Sequence, residues 1–215
     1  MSTPENRLSI VICDDHPIVR SGLRSILHAV GDIEVVGEAA SYSELRLLLA
    51  RQPCQILLLD IEMPGKNGMD VLVQLRKDMP KLHILMLSIY PEDQYAVRAI
   101  RAGAAGYLNK NSAPEKLVEA VRAVATGRRF ISPEVSNALA EAVAGDSDGT
   151  PHEALSNREF QVLRLIASGK KLSEIAAELA LSPKTVSVYR ARILEKMNLA
   201  NNVELAHYAS KHGLV

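Results

Sequence analysis

The sequence predicts an α/β domain, built on a doubly wound five-stranded parallel sheet, followed by a small all-α domain. Three observations carry this. Five short aliphatic runs alternate with helical patterns over residues 1–127. Residues 153–215 contain no strand-like run. Between them, Gly145-Asp146-Ser147-Asp148-Gly149-Thr150-Pro151 holds no apolar residue and reads as a flexible linker.

The runs are Leu8–Cys13, Ile33–Glu38, Gln55–Asp60, Leu82–Ser88 and Ala105–Leu108. Ile56-Leu57-Leu58-Leu59 and Ile84-Leu85-Met86-Leu87 do not alternate with polar residues, which suits strands buried on both faces. Parallel strands need crossover connections, and helices fill the gaps with right-handed chirality. Ile18, Val19, Gly22, Leu23, Ile26, Leu27 and Val30 recur at helical spacing. Leu117, Val118, Val121 and Val124 do the same, opened by a capping box at Ser112-x-x-Glu115 and closed by Gly127. Ser132-Pro133 opens a short helix running to Val143. The expected domains are therefore residues 1–127, a linker with a short helix over 128–152, and a helical domain over 153–215.

In the helical domain Ser156-x-x-Glu159 is a second capping box, ahead of Phe160, Val162, Leu163, Leu165 and Ile166 and a stop near Gly169. Ile175, Ala176 and Leu179 mark a second helix. Ser182-Pro183 starts a third, with Ser as N-cap and Pro at the first helical position. Asn201-Asn202 starts a fourth, carrying Val203, Leu205, Ala206 and Tyr208.

Composition narrows the class. Of 215 residues, 47% are hydrophobic and 23% charged, as in ordinary globular proteins. No apolar stretch is long enough for a membrane span, and the leading MSTPENR lacks the apolar core of a signal peptide. Cys13 and Cys54 have no metal-ligand spacing, so reduced thiols and a cytoplasmic location are expected. Lys+Arg and Asp+Glu are both 25, and a net charge of zero argues against a nucleic-acid binder. That average hides a split: residues 1–150 carry −3 and residues 151–215 carry +3. Residues 182–196 place four basic side chains against Glu195 on the third tail helix.

In a doubly wound sheet, ligands bind beyond the C-terminal ends of the strands. Those ends carry Asp14-Asp15, Asp60, Ser88 and, after the fifth run, Lys110. Three neighbouring carboxylates repel one another, and a hard divalent cation such as Mg²⁺ relieves that. With Lys110 as a compact positive charge and Ser88 as a hydroxyl donor, the set suits transfer of a phosphoryl group to an aspartate. Each residue alone has a plainer role: Asp14 or Asp15 as a helix cap, Ser88 in a turn, Lys110 in solvent.

Residues 8–127 resemble a bacterial response-regulator receiver domain. The resemblance rests on Asp14-Asp15-His16-Pro17, Asp60-Ile61-Glu62-Met63-Pro64-Gly65 with Gly68, Ser88, and Gly103-Ala104-x-Gly106-Tyr107-Leu108-x-Lys110. It implies a flavodoxin-like sheet, with Asp60 as phosphoacceptor. It also implies Mg²⁺ held by Asp15, Asp60 and the Glu62 backbone carbonyl, with Asp14 positioning the metal through water. Ser88 would be the switch hydroxyl, Lys110 the phosphate-binding lysine, and Tyr107 an aromatic ring that moves inward on phosphorylation. A sensor histidine kinase or a small phosphodonor is the implied partner.

The tail has helix-turn-helix spacing over 172–196, and its second helix is basic, as major-groove entry requires. Leu155-Ser156-x-Arg158-Glu159-x-x-Val162-Leu163-x-Leu165-Ile166-Ala167-x-Gly169, Glu174-Ile175-Ala176-x-x-Leu179 and Leu181-Ser182-x-Lys184-Thr185-Val186 resemble a LuxR/FixJ-type DNA-binding domain. With the receiver, the chain is similar to FixJ/NarL-type two-component response regulators along nearly its whole length. Lys184–Arg190 stands closer to the GacA/BvgA branch. Lys184, Thr185, Ser187, Val188 and Arg190 are expected nearest the DNA, and Lys170, Lys171 and Arg192 are expected at phosphates. Val186 and Ile193 are expected in the core. Ser187 and Tyr189 stand where many members have Lys and His, which removes one charged contact.

The resemblance implies a transcription factor rather than an enzyme, hydrolysing only its own aspartyl phosphate. Its implied partners are double-stranded DNA, a second copy when phosphorylated, and RNA polymerase as a further candidate, with no membrane. Two other readings stay open. One is a phosphorylation-dependent protein-interaction switch with weak or no DNA binding, favoured by Ser187. The other is a metal-dependent phosphohydrolase, disfavoured because no general base stands beside Asp60.

Overall fold

The structure is a computed structural model that describes residues 7–90, 92–144 and 150–215, with the backbone alone at 92–94, 138 and 141–144. The linker residues 145–149 lie outside the described residues. Five strands alternate with five helices: β1 (Leu8–Cys13), α1 (Pro17–His28), β2 (Ile33–Ala39), α2 (Tyr42–Arg51), β3 (Ile56–Asp60), α3 (Gly68–Asp78), β4 (His83–Ser88), α4 (Glu92–Arg101), β5 (Gly106–Asn109) and α5 (Pro114–Ala125). Five more helices follow: α6 (Pro133–Ala144), α7 (Asn157–Ala167), α8 (Leu172–Glu178), α9 (Pro183–Met197) and α10 (Asn202–Lys211). The chain divides into two compact units between Leu139 and Ala140.

The sheet is all parallel, in the order β2-β1-β3-β4-β5. The order reverses between β1 and β3, which is where a doubly wound sheet opens a crevice at its C-terminal edge. Cys13 pairs with Leu59, Asp60 with Leu87 and Ser88 with Asn109, so the strand-end residues share one edge. Every residue of β3 is buried, as its unbroken aliphatic run requires. Ile10, Ile12, Leu58, Leu85 and Leu87 pack on one face with Leu27 of α1 and Leu117, Val121 and Val124 of α5. Each such side chain contributes about 1.5–3 kcal/mol on burial.

Two helix starts depart from expectation. Ser112 does not cap α5: its N–H bonds the Asn109 carbonyl at 2.9 Å, placing it in a turn. Ala113 is the N-cap, and Pro114 fixes the helix start with its preset φ. Ile18 lies in the first turn of α1 and faces away from the core.

Phe130, in the stretch assigned from sequence to the start of the linker, pairs with the edge of β5. Its N–H bonds the Ala105 carbonyl at 3.0 Å, and its carbonyl accepts from Tyr107 N–H at 3.2 Å. Gly106 permits this, because a Cβ there would lie 2.7 Å from the Phe130 carbonyl oxygen.

In the second unit, a 3-10 turn at Pro151–Ala154 precedes α7. Both halves of the Ser156/Glu159 capping box form. Lys196 of α9 adds an ion pair to Glu159 at 2.6 Å. Helix α7 is the central element, and its buried polar groups are satisfied: Arg158 donates to Gln161 at 2.7 Å and Arg164 to the Leu214 carbonyl at 2.8 Å. Ser182 caps α9 ahead of Pro183, and Asn201 caps α10. Val186 and Ile193 are fully buried, as expected, whereas Val203 is 77% exposed because it falls in the first turn of α10, off the buried face of Leu205 and Ala209.

Candidate functional site

At the C-terminal edge of the sheet, Lys110 bridges two carboxylates. Its Nζ lies 2.6 Å from Asp14 Oδ2 and 2.8 Å from Asp60 Oδ2. Asp14, Asp60 and the Lys110 side chain are 0%, 2% and 9% exposed, so solvent screens none of these charges well. Burial pushes the Asp60 carboxyl up to about 7; the Lys110 charge opposes the rise and Asp14 adds to it. Burial alone would depress the Lys110 ammonium, but Asp60 and Asp14 outweigh it and hold its pKa above the usual value.

The plainer roles fail for three of these residues. Neither Asp14 nor Asp15 caps α1, whose N-cap is His16. Asp14 instead accepts the His16 N–H at 2.8 Å, and Asp15 approaches His16 Nδ1 at 2.7 Å. Lys110 is enclosed rather than solvated. Ser88 does hold a turn, accepting Tyr90 N–H at 3.1 Å on its hydroxyl, but its own proton remains available to donate.

Asp14, Asp15, His16 and Asp60 each offer a ligand atom, all within 4.8 Å of one another. Three carboxylates at that spacing fit a hard divalent cation. Glu62 lies two residues beyond the end of β3. Its carboxylate accepts the Tyr90 hydroxyl at 2.5 Å, which ties the loop after β3 to the loop after β4.

The resemblance implies that Tyr107 moves inward on phosphorylation. It is already inside, 1% exposed, with its hydroxyl donating to the Tyr90 carbonyl at 3.0 Å. That carbonyl also accepts from Asn109 Nδ2 at 2.9 Å, so the β4–α4 loop supplies the acceptor that the buried phenol needs. Cys13 lies beside the pocket, with its sulfur 3.4 Å from Met63 Sδ. Burial, with Asp60 and Asp14 nearby, pushes its thiol up to about 12, so it is unreactive near neutrality.

On α9, Lys184, Ser187, Val188 and Arg192 are exposed along one side of the helix. Two other expected contacts are partly engaged within the protein. The Thr185 hydroxyl lies 2.8 Å from that of Ser182, and Arg190 Nε donates to Asn202 Oδ1 at 2.6 Å. Lys170 and Lys171 precede α8 and are not on α9. Lys170 is ion-paired with Glu178 at 2.5 Å, which weakens its claim on a phosphate.

Residues 10–122 match the response regulator receiver domain, and residues 153–209 match the bacterial regulatory proteins of the luxR family. The chain is a response regulator with a LuxR-type DNA-binding domain. Among its relatives, the response regulator UvrY of Escherichia coli K12 is 36% identical over 208 residues, covering 96% of this chain and 95% of that one. The response regulator GacA of Pseudomonas aeruginosa PAO1 is 35% identical over 209 residues, covering 97% and 98%. Among solved structures, RcsB of Salmonella typhimurium aligns with a TM-score of 0.71 at 29% identity, over 96% of this chain and 98% of that one. RcsB bound to promoter rprA with the phosphomimetic BeF3⁻ aligns with a TM-score of 0.66 at 29% identity, over 95% and 99%.

Three features of this response regulator escaped the sequence. The Tyr90–Glu62 bond, the His16 contacts and the Asn202–Arg190 bond all join residues whose separate patterns carry no mutual signal. Asn67 is a partial exception: its side chain caps α3 by accepting Met69 N–H at 2.8 Å, and an Asn ahead of Gly68 is a readable start signal.

The raised Asp60 pKa makes stability depend on pH. Unfolded, the group loses its proton near pH 4. Folded, it keeps it to about 7. Stability therefore falls as pH rises from about 4 to 7, at about 1.4 kcal/mol per unit at most. At pH 8 without metal, Asp60→Asn is expected to melt several degrees above the wild type, and Mg²⁺ is expected to narrow the gap. Equal melting temperatures in calorimetry, with and without Mg²⁺, would contradict the raised Asp60 pKa.

Proposed function

We propose that Asp60 of this response regulator accepts a phosphoryl group from a sensor histidine kinase or a small phosphodonor. The observation that carries this reading is Lys110 held between buried Asp14 and Asp60 at 2.6 and 2.8 Å. An Asp60 oxygen attacks phosphorus, the new O–P bond forms, and the donor's bond to phosphorus breaks. Asp15, Asp60 and the Glu62 carbonyl would hold Mg²⁺, with Asp14 placing it through water; when bound it neutralises charge on the transferring group. Lys110 shifts from carboxylate to phosphoryl oxygen, and the Ser88 hydroxyl donates to a second oxygen. The phosphoryl group leaves again only by hydrolysis within the same pocket, so the chain turns over no other substrate.

Ser88 and Tyr107 are linked through Tyr90, since Ser88 accepts its N–H and Tyr107 donates to its carbonyl. Phosphorylation thus stabilises the inward Tyr107 already present and shifts a population rather than creating a new state. The shifted state favours a dimer, and two linked tails bind two half-sites better than one by effective concentration. RcsB structures hold promoter DNA, and one shows two dimers on two parallel DNAs. By likeness, α9 enters the major groove here, in the cytoplasm, with RNA polymerase as the downstream partner. Lys184, Thr185, Ser187, Val188 and Arg190 would face the bases, and Arg192, Lys170 and Lys171 the phosphates.

Duplex titration tests this. Lys171→Ala with Arg192→Ala is expected to weaken binding evenly across sequences and lower the log–log salt slope by about 2. Ser187→Ala is expected to change sequence preference with the slope unchanged. Ser187 in place of a charged contact favours the second reading, an interaction switch without DNA binding. A duplex affinity indifferent to salt and sequence, in phosphorylated and unphosphorylated protein alike, would select that reading.

A further inference from the structure

The opposite, N-terminal end of the sheet holds a cavity of about 460 Å³, between the end of α3, the start of β4, the α4–β5 turn and the chain leaving α5. Five cationic or titratable side chains line it: Arg76, Lys81, His83, Arg128 and Arg129. No carboxylate does. Among the described residues Lys81, Arg128 and Arg129 have no acidic partner. Arg76 is anchored as a wall, donating to the Pro80 carbonyl at 2.9 Å and the Leu82 carbonyl at 3.2 Å. The rest of the lining is small: Gly103, Gly127, Ala104 and Ala105 let a ligand approach the backbone.

We propose that this cavity binds a small anion carrying two or more phosphate groups. Like charges converging on one concavity repel, and a bound anion removes that repulsion. Guanidinium forks bind phosphate oxygens two at a time, and several cations around one concavity match more negative charge than a single carboxylate or sulfate carries. The volume lies in the range of small-molecule sites rather than of a groove for a polymer. The ligand would touch Arg128 and Arg129, directly before Phe130 on the edge of β5, and so would fasten that pairing. This site is separate from the phosphoacceptor pocket, whose residues lie at the other strand ends.

The test is calorimetric titration of the full chain with pyrophosphate and with ADP, in chelator and without Mg²⁺, so that the carboxylate pocket takes no part. Binding tighter than about 1 mM is expected. Arg128→Gln with Arg129→Gln is expected to weaken it at least about tenfold, and Lys81→Gln, on a different segment, to weaken it too. These side chains are exposed, so melting temperature and acetyl-phosphate labelling are expected to stay at wild-type values. Asp60→Asn is expected to bind as wild type. No heat from either ligand overturns the proposal. So does loss of binding in Asp60→Asn with none in the arginine variants, and so does equal binding of an oligoglutamate of matching charge.

Discussion

Asp60→Asn protein incubated with acetyl phosphate and Mg²⁺ is expected to take up no phosphoryl label, while the wild type labels. The amide keeps the carboxylate's size, so the buried pocket stays filled and the fold is retained. What disappears is the anionic oxygen proposed to attack phosphorus. Asp14 cannot replace it: fully buried, it is committed to Lys110 at 2.6 Å and to the His16 N–H at 2.8 Å. Asp15 is more open but lies against His16. Label that persists in the Asn variant, mapped by mass spectrometry to another aspartate, would move the phosphoacceptor elsewhere. Lys110→Ala separates the roles further, since it should slow labelling and raise the Asp60 pKa above about 7.

Gly68→Ala is expected to be the most damaging single methyl in the receiver unit. A Cβ there would lie 1.9 Å from the Asp60 carbonyl oxygen and 2.9 Å from Ile61 Cα, closer than real side chains come. All the obstructing atoms are backbone, at the end of β3, so no rotamer change relieves them. The Gly68 N–H also donates to the Ile61 carbonyl at 2.8 Å, which holds α3 against the strand end. Relief therefore requires moving Asp60 itself. A loss of about 3 kcal/mol or more is expected, seen as a drop of roughly 10 °C in melting temperature. Labelling should slow as well, because the pocket is displaced. Gly22→Ala is the matching control: nothing lies within 4 Å of where its methyl would sit, the position is helical, and the change should stabilise slightly. Equal melting of the two variants would show that the close approach at Gly68 does not matter.

What the sequence disclosed followed from strong local signals. The aliphatic runs of β3 and β4 can only be strands covered on both faces, and strand ends in a doubly wound sheet share one edge. That logic alone brings Asp14, Asp15, Asp60, Ser88 and Lys110 together across almost a hundred residues of chain. The Ser156, Ser182 and Asn201 caps are legible because each side chain sits at its helix start without competition. Ser112 misleads because a turn to Asn109 consumes its N–H and Pro114 dictates the start one residue later. The position of Tyr107 is not legible, since it depends on a carbonyl of Tyr90 offered by a loop from another strand. Thr185 and Arg190 look like bare DNA contacts in the sequence, and their partners Ser182 and Asn202 become visible only once neighbouring helices are in place.

The pairing of Phe130 with β5 has a consequence for how copies of this chain meet. An uncovered edge strand offers a row of N–H and C=O groups on which a foreign strand can nucleate a shared sheet. At one margin β5 is only four residues long, and Phe130 occupies two of its neighbours' backbone groups. At the other margin β2 carries Glu38, ion-paired with both Arg20 and Arg24 at 3.3 and 2.8 Å, beside a register slip in its pairing with β1. One margin is capped and the other is charged and irregular. Molecules crowded together therefore have no clean template for strand addition, which protects the fold from aggregating edge to edge.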